Sequence, residues 1–415
     1  MRVRERRVLI VVENLPVPFD RRVWLEATTL ARNGYCVSVI CPKAKGFNRS
    51  RETIEDIDVF RYPIPFEARG AGAYAAEFAW CFTCTALLSI FVQLFGRGFD
   101  ALHACNPPDT FWLLGRFWKL FGRCYVFDHH DLCPEMFAVK FGRSSGFLYR
   151  TLLWLEQRSM QAADIVITTN QSHKLIATTR GGRAPQEVVV VRSGPDLARF
   201  RHHPPNAEYR AGQPHLLVYL GEICEQDGVD HMVRALKLLR ESLGRTDFHA
   251  IFVGGGPHQK AIKAYAEEQG VTAYATFTGR VSDEELCRIL SSATLGIDPD
   301  PQNPWSDKST MNKVVEYMFF GLPVVAYDLH ETRVSAGEAG LFAAPNDERA
   351  LAKSISALLD DPDRRVAMGQ AGAARVRDTL AWDHSVGPLL MAYERVLGRA
   401  AAAPAVATGD PVPVP

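Results

Sequence analysis

The 415-residue chain has no net charge, because 47 lysines and arginines meet 47 aspartates and glutamates. Without an excess of either sign, nothing steers the whole molecule to nucleic acid or another polyanion, so anion binding must come from local clusters. Paired cysteines are also missing. The nine are odd in number, scattered and mostly set in apolar runs, and the lone Cys-x-x-Cys at Cys81 and Cys84 has no second pair and no histidine at ligand spacing. That excludes a disulfide framework, favours core thiols over a metal or redox centre, and points to a reducing, cytoplasmic setting. The amino terminus lacks a long apolar run: residues 8–12 are strand-length and too short for a signal peptide. No internal repeat of roughly 20–50 residues is visible.

What is present suits a soluble globular protein, at 47% hydrophobic and 23% charged residues. The length suits two domains plus a tail. One stretch, 78–95, carries no charge and holds Trp80, Phe82, Leu87, Leu88, Ile90, Phe91, Val92 and Leu94, diluted by Thr83, Thr85, Ser89 and Gln93. It reads as a buried core helix, as a helix lying on a bilayer face, or as a span of near-minimal length.

The first half alternates strand and helix signals. Strands are expected at 8–12, 36–41, 101–105, 124–128, 164–168 and 187–192. Asp20 is placed to cap a helix striped by Val23, Ala27, Leu30 and Ala31, and a second helix covers 110–121. The segment 193–214, with Pro195, Pro204, Pro205 and Pro214, reads as an interdomain linker. Alternation then restarts with strands at 216–220, 249–253, 275–278, 295–298 and 323–326 and helices at 229–239 and 350–359. A last helical region, 375–397, is expected to break near Pro388, and the Ala/Pro/Val-rich segment 400–415 reads as a disordered tail. The fold class is therefore α/β: two doubly wound, Rossmann-like domains facing across a cleft, with ligands outside the carboxyl ends of the strands.

The strongest local signal is Ser309-Thr310-Met311-Asn312-Lys313-Val314-Val315-Glu316, followed by Gly321-Leu322-Pro323. Ser309 or Thr310 can cap a helix whose first turn leaves N–H groups free, and with Lys313 one turn in this forms an anion cradle for a diphosphate. Glu316 can accept bonds from a ribose diol, and a capped amphipathic surface helix is the plain alternative.

From residue 216 to 340 the sequence resembles the C-terminal domain of glycosyltransferase family 4, of glycosyltransferase-B (GT-B) architecture. The start, with Glu13-Asn14-Leu15-Pro16-Val17-Pro18-Phe19-Asp20-Arg21-Arg22-Val23-Trp24, resembles its bacterial polysaccharide branch, which includes N-acetyl-fucosamine transferases of O-antigen synthesis. The resemblance implies an acceptor domain over 1–195, a linker over 196–214, a nucleotide-sugar domain over 215–380, and a helix over 381–399 packing back toward the first domain. It implies that Glu316 holds the ribose as the second acid of the family's Glu-x7-Glu motif. The first acid falls at Lys308, a departure, with Asp307 as the nearest carboxylate. The family's diphosphate-gripping Arg and Lys are replaced by Gly221-Glu222-Ile223-Cys224-Glu225-Gln226-Asp227-Gly228. The phosphates then lean on Ser309, Thr310, Met311, Asn312 and Lys313, with Arg21 or Arg22 reaching across the cleft.

The resemblance further implies that Gly254-Gly255-Gly256 forms the family's glycine turn, and that Thr278-Gly279-Arg280-Val281-Ser282 reads the base through its backbone. Gly256 and Val281 are the candidate donor contacts. Ser282 with Glu285 also spells a capping box. In Asp128-His129-His130-Asp131, His130 is the candidate beside the sugar, with Asp131 to orient it. Asn106 and Asp109 can shape the acceptor side, with Asp109 alternatively a plain helix cap. Asp298-Pro299-Asp300 spells the Asp-x-Asp of metal-dependent transferases, but its prolines suit a turn, and the resemblance argues against metal.

The expectation is a retaining, metal-independent transferase with no cofactor and a nucleotide-sugar donor, a UDP-sugar foremost. Its partner is a glycan or a polyprenyl-diphosphate-linked sugar, at the inner face of the plasma membrane. A nucleotide-sugar epimerase and a non-catalytic nucleotide-sugar binder are the alternatives.

Overall fold

The computed structural model describes residues 6–65, 71–197 and 199–402. The first lobe is built on β1 (Arg6–Val11), β2 (Tyr35–Pro42), β3 (Arg51–Ile54), β4 (Ile57–Tyr62), β5 (Ala101–Cys105), β6 (Cys124–His129), β7 (Ile165–Thr168) and β8 (Val188–Val190). Their order is β3-β4-β2-β1-β5-β6-β7-β8, parallel throughout except for the antiparallel edge pair β3–β4. The second lobe holds β9 (His215–Leu220), β10 (Phe248–Val253), β11 (Ala275–Gly279), β12 (Leu295–Asp298), β13 (Val324–Tyr327) and β14 (Gly340–Ala343). These run in the order β11-β10-β9-β12-β13-β14, all parallel. The central strands are apolar on both faces because helices cover both, as parallel sheets require, while the edge strands β3 and β11 are partly exposed. The strands at β3, β4 and β14 have no counterpart in the sequence expectations; Arg51–Ile54 alternates exposure and carries charge, which masks its period.

Strand order reverses between β1 and β5 in the first sheet and between β9 and β12 in the second. Crevices at such switch points open at the carboxyl ends of the strands. They place Arg21, Arg22, Asn106 and His130 at one rim, and Gly221, Gly254 and Asp300 at the other.

Asp20 caps the helix Arg21–Arg32, its Oδ1 accepting from Val23 N–H at 3.1 Å. The segment after Pro195 packs on the second lobe, where Phe200 is buried against Phe319 and Phe320. The expected break at Pro388 is not there. The helix Pro362–Arg375 passes through a π turn, Val376–Leu380, and the chain restarts as the helix Asp383–Ala402 with Pro388 inside it. That last helix, with Trp382 before it, sends Leu389, Ala392, Tyr393, Val396 and Leu397 into the core of the first lobe. Residues 400–402 thus continue a helix, and the rest of the expected tail, 403–415, lies outside the described residues.

The helix Ala71–Phe95 packs the opposite way from a core helix. Its buried stripe is small or polar: Cys81, Thr85, Ser89 and Val92 face the sheet, and Ser89 Oγ accepts from Trp118 Nε1 at 3.1 Å. Its large side chains, among them Trp80, Leu87, Phe91, Leu94 and Phe95, face outward. Over Ala76–Phe95 the mean hydropathy is 1.8, and only 22% of the most apolar window is buried. The buried-core reading is thereby overturned; the helix is long and apolar enough to cross a membrane by length and composition. All nine cysteines are free.

Candidate active site between the lobes

At the first rim, adjacent arginines divide their work. Arg22 turns inward: its Nε and Nη2 donate to Asp128 at 3.2 and 2.9 Å, Nη1 donates to Val191 O at 2.8 Å and Ser193 Oγ at 3.1 Å, and Nη2 lies 3.1 Å from Glu26. Of the two arginines expected across the cleft, Arg22 is therefore withdrawn, held by two buried carboxyls. Burial opposes a charge on Asp128, but Arg22 and His130 outweigh it and hold this carboxyl well below the usual range. Glu26 goes the other way: burial, and then the Asp128 charge, raise it well above the usual carboxylate range, with Arg22 opposing.

His130 bonds through Nε2 to Asp128. The orienting carboxylate is thus Asp128 and not Asp131, which corrects the expectation. The reason is local: the strand ends on Asp128-His129, and the turn that follows folds the His130 ring back over the strand's last inward carboxylate. Asp131 is raised by burial, and its main chain is held by Asn106. Asn106 Oδ1 accepts from the N–H groups of His130 (2.6 Å) and Asp131 (3.1 Å), while Nδ2 donates to Asp131 O (2.7 Å) and Asp109 Oδ1 (3.1 Å). Asn106 and Asp109 are both buried, so they clamp the His130 loop from behind. Asp109 caps no helix, since Trp112–Lys119 begins after Phe111. Burial, and then the Glu156 charge, push Asp109 up to about 7.

In the second lobe, Gly254 has φ +132°, and a Cβ there would lie 1.8 Å from Gly221 O. A Cβ on Gly256 would lie 2.4 Å from Ile223 O. Only glycines let the turns after β9 and β10 close on one another, with Ile223 N–H donating to Gly255 O at 3.0 Å. The helix Asn312–Phe319 starts one residue later than a Thr310 cap implies and two later than a Ser309 cap implies. Met311 is its cap residue, and among the described residues no side chain bonds at this cap. Ser309 Oγ donates instead to Trp305 O, and Thr310 Oγ1 accepts from Asn170 of the first lobe at 3.0 Å. Val314 N–H bonds back to Met311 O at 3.1 Å, and the N–H groups of Asn312 and Lys313, without a side-chain cap, remain for a ligand at the interlobe gap.

Lys313 is spoken for. Its ammonium bonds Asp300 and lies 3.3 Å from Asp298. Burial opposes its charge, but Asp300 and neighbouring groups hold it well above the usual range. Lys313 therefore fills the Asp-Pro-Asp turn and does not stand free toward a diphosphate, a correction to its expected role. Asp307 Oδ1 accepts from His330 N–H at 2.9 Å and Lys308 Nζ donates to Pro304 O, so neither takes up the missing acid's position. Ser282 caps Asp283–Ser292 by accepting from Glu285 N–H, but the Glu285 carboxylate accepts from Tyr209 Oη, so the box is half made. Val281 packs at the edge of the second core, and Arg280 lies 4.5 Å over the Phe19 ring of the first lobe.

Glu316 is buried at the gap, and its Oε1 accepts from Arg21 Nη1 at 3.0 Å. Arg21 also lies 3.6 Å from Asp283. Burial raises the Glu316 carboxyl, and Arg21 partly offsets this. Further bonds cross the gap from Asn170 to Lys308 O (2.8 Å), Ser172 to Glu331 (2.6 Å) and Arg192 to Ser335 (2.6 Å).

A second cation setting exists in the first lobe, where ligand atoms of Glu26, Cys105, Asp128 and His130 lie within 4.8 Å of one another. The Arg22 guanidinium already supplies the positive charge there. Sequence reasoning missed Asp128, Glu26, His103 and Tyr393. Asp128 alone carried a signal, as the last inward residue of an apolar strand.

Residues 20–194 match the glycosyl transferase 4-like domain, and residues 214–361 match glycosyl transferases group 1. The chain is 30% identical over 322 residues to D-inositol 3-phosphate glycosyltransferase 1 of Catenulispora acidiphila, covering 72% of this chain and 73% of that one. The chain belongs to this glycosyltransferase family. It is also 30% identical over 249 residues to 2-deoxystreptamine glucosyltransferase of Streptomyces kanamyceticus, covering 58% of this chain and spanning 62% of the relative's length. The fold is that of Anabaena HepE, solved in complex with UDP: TM-score 0.70 at 16% identity, over 94% of this chain and 99% of that one.

Proposed function

We propose that this chain is a retaining, metal-independent glycosyltransferase that takes a hexosyl or N-acetylhexosaminyl group from a UDP-sugar. One observation carries the reading. Glu316 is buried beside an open helix tip at the interlobe gap, with an arginine of the opposite lobe on it. A carboxylate there suits a ribose diol, and the free N–H groups suit the departing diphosphate. HepE binds UDP, which supports a UDP-sugar. Departure of the nucleoside diphosphate, stabilised by these fixed dipoles, is followed by attack from the same face. His130, held by Asp128, works beside the sugar without a covalent intermediate. The acceptor is a glycan or a polyprenyl-diphosphate-linked sugar of bacterial polysaccharide or O-antigen synthesis, in keeping with the resemblance of residues 13–24.

The outward apolar side chains of Ala71–Phe95 are joined by Leu113 and Phe117 on the helix Trp112–Lys119 and by Leu120 and Phe121 in the turn after it, Leu120 being 82% exposed. Arg116 and Lys119 share that helix. Such a surface supports a cytoplasmic enzyme resting on the inner leaflet.

A thermal-shift panel of UDP-, GDP-, dTDP- and CMP-sugars tests the donor, because a ligand of the folded state raises apparent stability. NMR of the transferred sugar's anomeric centre tests retention. Lys313, neutralised by Asp298 and Asp300, favours one second reading, a nucleotide-sugar binder without activity; donor binding with neither transfer nor hydrolysis would establish it.

A further inference from the structure

Behind His130 stands a chain of buried groups that ends on the helix Asp383–Ala402. Asp128 Oδ2, which takes the His130 bond, also lies 3.5 Å from His103 Nε2. The same His103 nitrogen lies 3.6 Å from Glu26 Oε2. On its other side, His103 Nδ1 is 2.6 Å from Tyr393 Oη. His103 and Tyr393 are completely buried, with rings stacked at 6.1 Å between centroids.

The proton positions follow from the partners. Among the described residues, the Tyr393 hydroxyl has His103 Nδ1 as its hydrogen-bond partner. A buried hydroxyl needs an acceptor, so Tyr393 donates and His103 Nδ1 accepts. The neutral imidazole then carries its hydrogen on Nε2, which among the described residues makes no hydrogen bond but sits at electrostatic range of Asp128 (3.5 Å) and Glu26 (3.6 Å). Burial keeps His103 neutral and Tyr393 protonated. With the other tautomer, a lone pair would face the ionised Asp128 carboxylate at 3.5 Å.

We propose that Tyr393, through the tautomer of His103, is a positioning residue that fixes Asp128 and hence the His130 ring. This rests on the reading that His130 works beside the donor sugar. The last helix thereby takes part in setting the active-site geometry of a lobe whose strands ended some 200 residues earlier.

The test is a double-mutant cycle on the full chain with Tyr393→Phe and His130→Ala. Tyr393→Phe keeps the ring, its packing on Tyr35 and the fold, and removes only the hydroxyl. We expect kcat to fall about tenfold, the scale of one lost hydrogen bond behind a working side chain, with the donor dissociation constant unchanged. In the His130→Ala background the same change should have no further effect. In nitrogen-15 NMR, His103 should be Nε2-protonated in the natural chain and a tautomer mixture in Tyr393→Phe. Additive losses, or an unchanged kcat with an unchanged tautomer, would overturn the proposal. If His130→Ala itself leaves turnover intact, the reading of His130 fails separately.

Discussion

Arg21 of the first lobe and Glu316 of the second meet at 3.0 Å across the gap. The carboxylate suited to a ribose is therefore paired with a cation from the opposite lobe before any donor arrives. Arg21 has half of its side chain exposed, whereas Arg22 beside it is buried. One faces the ligand space and the other anchors the lobe.

This contrast predicts opposite phenotypes. Arg21→Ala should weaken donor binding about tenfold, with an effect that shrinks at high salt, and leave the melting temperature nearly unchanged. Arg22→Ala removes one partner of a buried pair and should destabilise by about 3 kcal/mol. Calorimetric titration and urea unfolding of both variants check this.

Glu316→Ala should cost about 1–3 kcal/mol of donor affinity, the scale of charged hydrogen bonds. His130→Ala should instead lower kcat about a hundredfold with a smaller change in donor affinity. Steady-state kinetics beside direct donor titration separates the two. Equal loss in both quantities for both variants would remove the assignment.

Asp109 gives a pH signature. Its folded value of about 7 lies above the roughly 3.9 of an unfolded aspartate. Its contribution is full below about pH 4 and is lost as pH rises toward 7, because only the folded state still binds the proton. Asp109→Asn should flatten that loss by about 1 kcal/mol or more, measured as the difference between variant and natural chain in urea midpoints across the pH range.

Metal chelation should leave transfer unchanged, since the Lys313 ammonium occupies the Asp298–Asp300 turn. Lys313→Ala should destabilise by roughly 3–5 kcal/mol by leaving buried carboxylates unpaired. Activity abolished by EDTA and restored by Mn²⁺ would refute metal independence.

Replacing Leu87 and Leu94 with glutamate should abolish co-flotation with anionic vesicles without lowering the melting temperature, because both side chains already face outward, at 64% and 67% exposure. Flotation that survives these changes would place the membrane contact elsewhere or remove it.

The alternation of short apolar strands with amphipathic helices made the two parallel sheets legible, since each strand's burial is written in its own residues. The candidate site was legible in part. His130, Glu316 and the open tip near Thr310 sit in local motifs at strand or helix ends. Their partners do not. Lys313 looks like a free cation until the turn at Asp298–Asp300 folds onto it. The pairing of His103 with Tyr393 joins positions 290 apart, with no local period to announce it. Adjacency in sequence points to Asp131 as the partner of His130, because it does not show which side of the strand Asp128 faces.

Trp382, Leu389 and Val396 complete the core of the first lobe. The hydrophobic interior begun by β1 thus lacks an entire helix until some 200 residues after its last strand have been made. At about 5–20 residues per second, the ribosome holds this half-built lobe for roughly ten to forty seconds after its last strand emerges. A protein ending at Ala381 should suffer first in the lobe made first, while the lobe made last keeps Val376 and Leu380 and with them its interior.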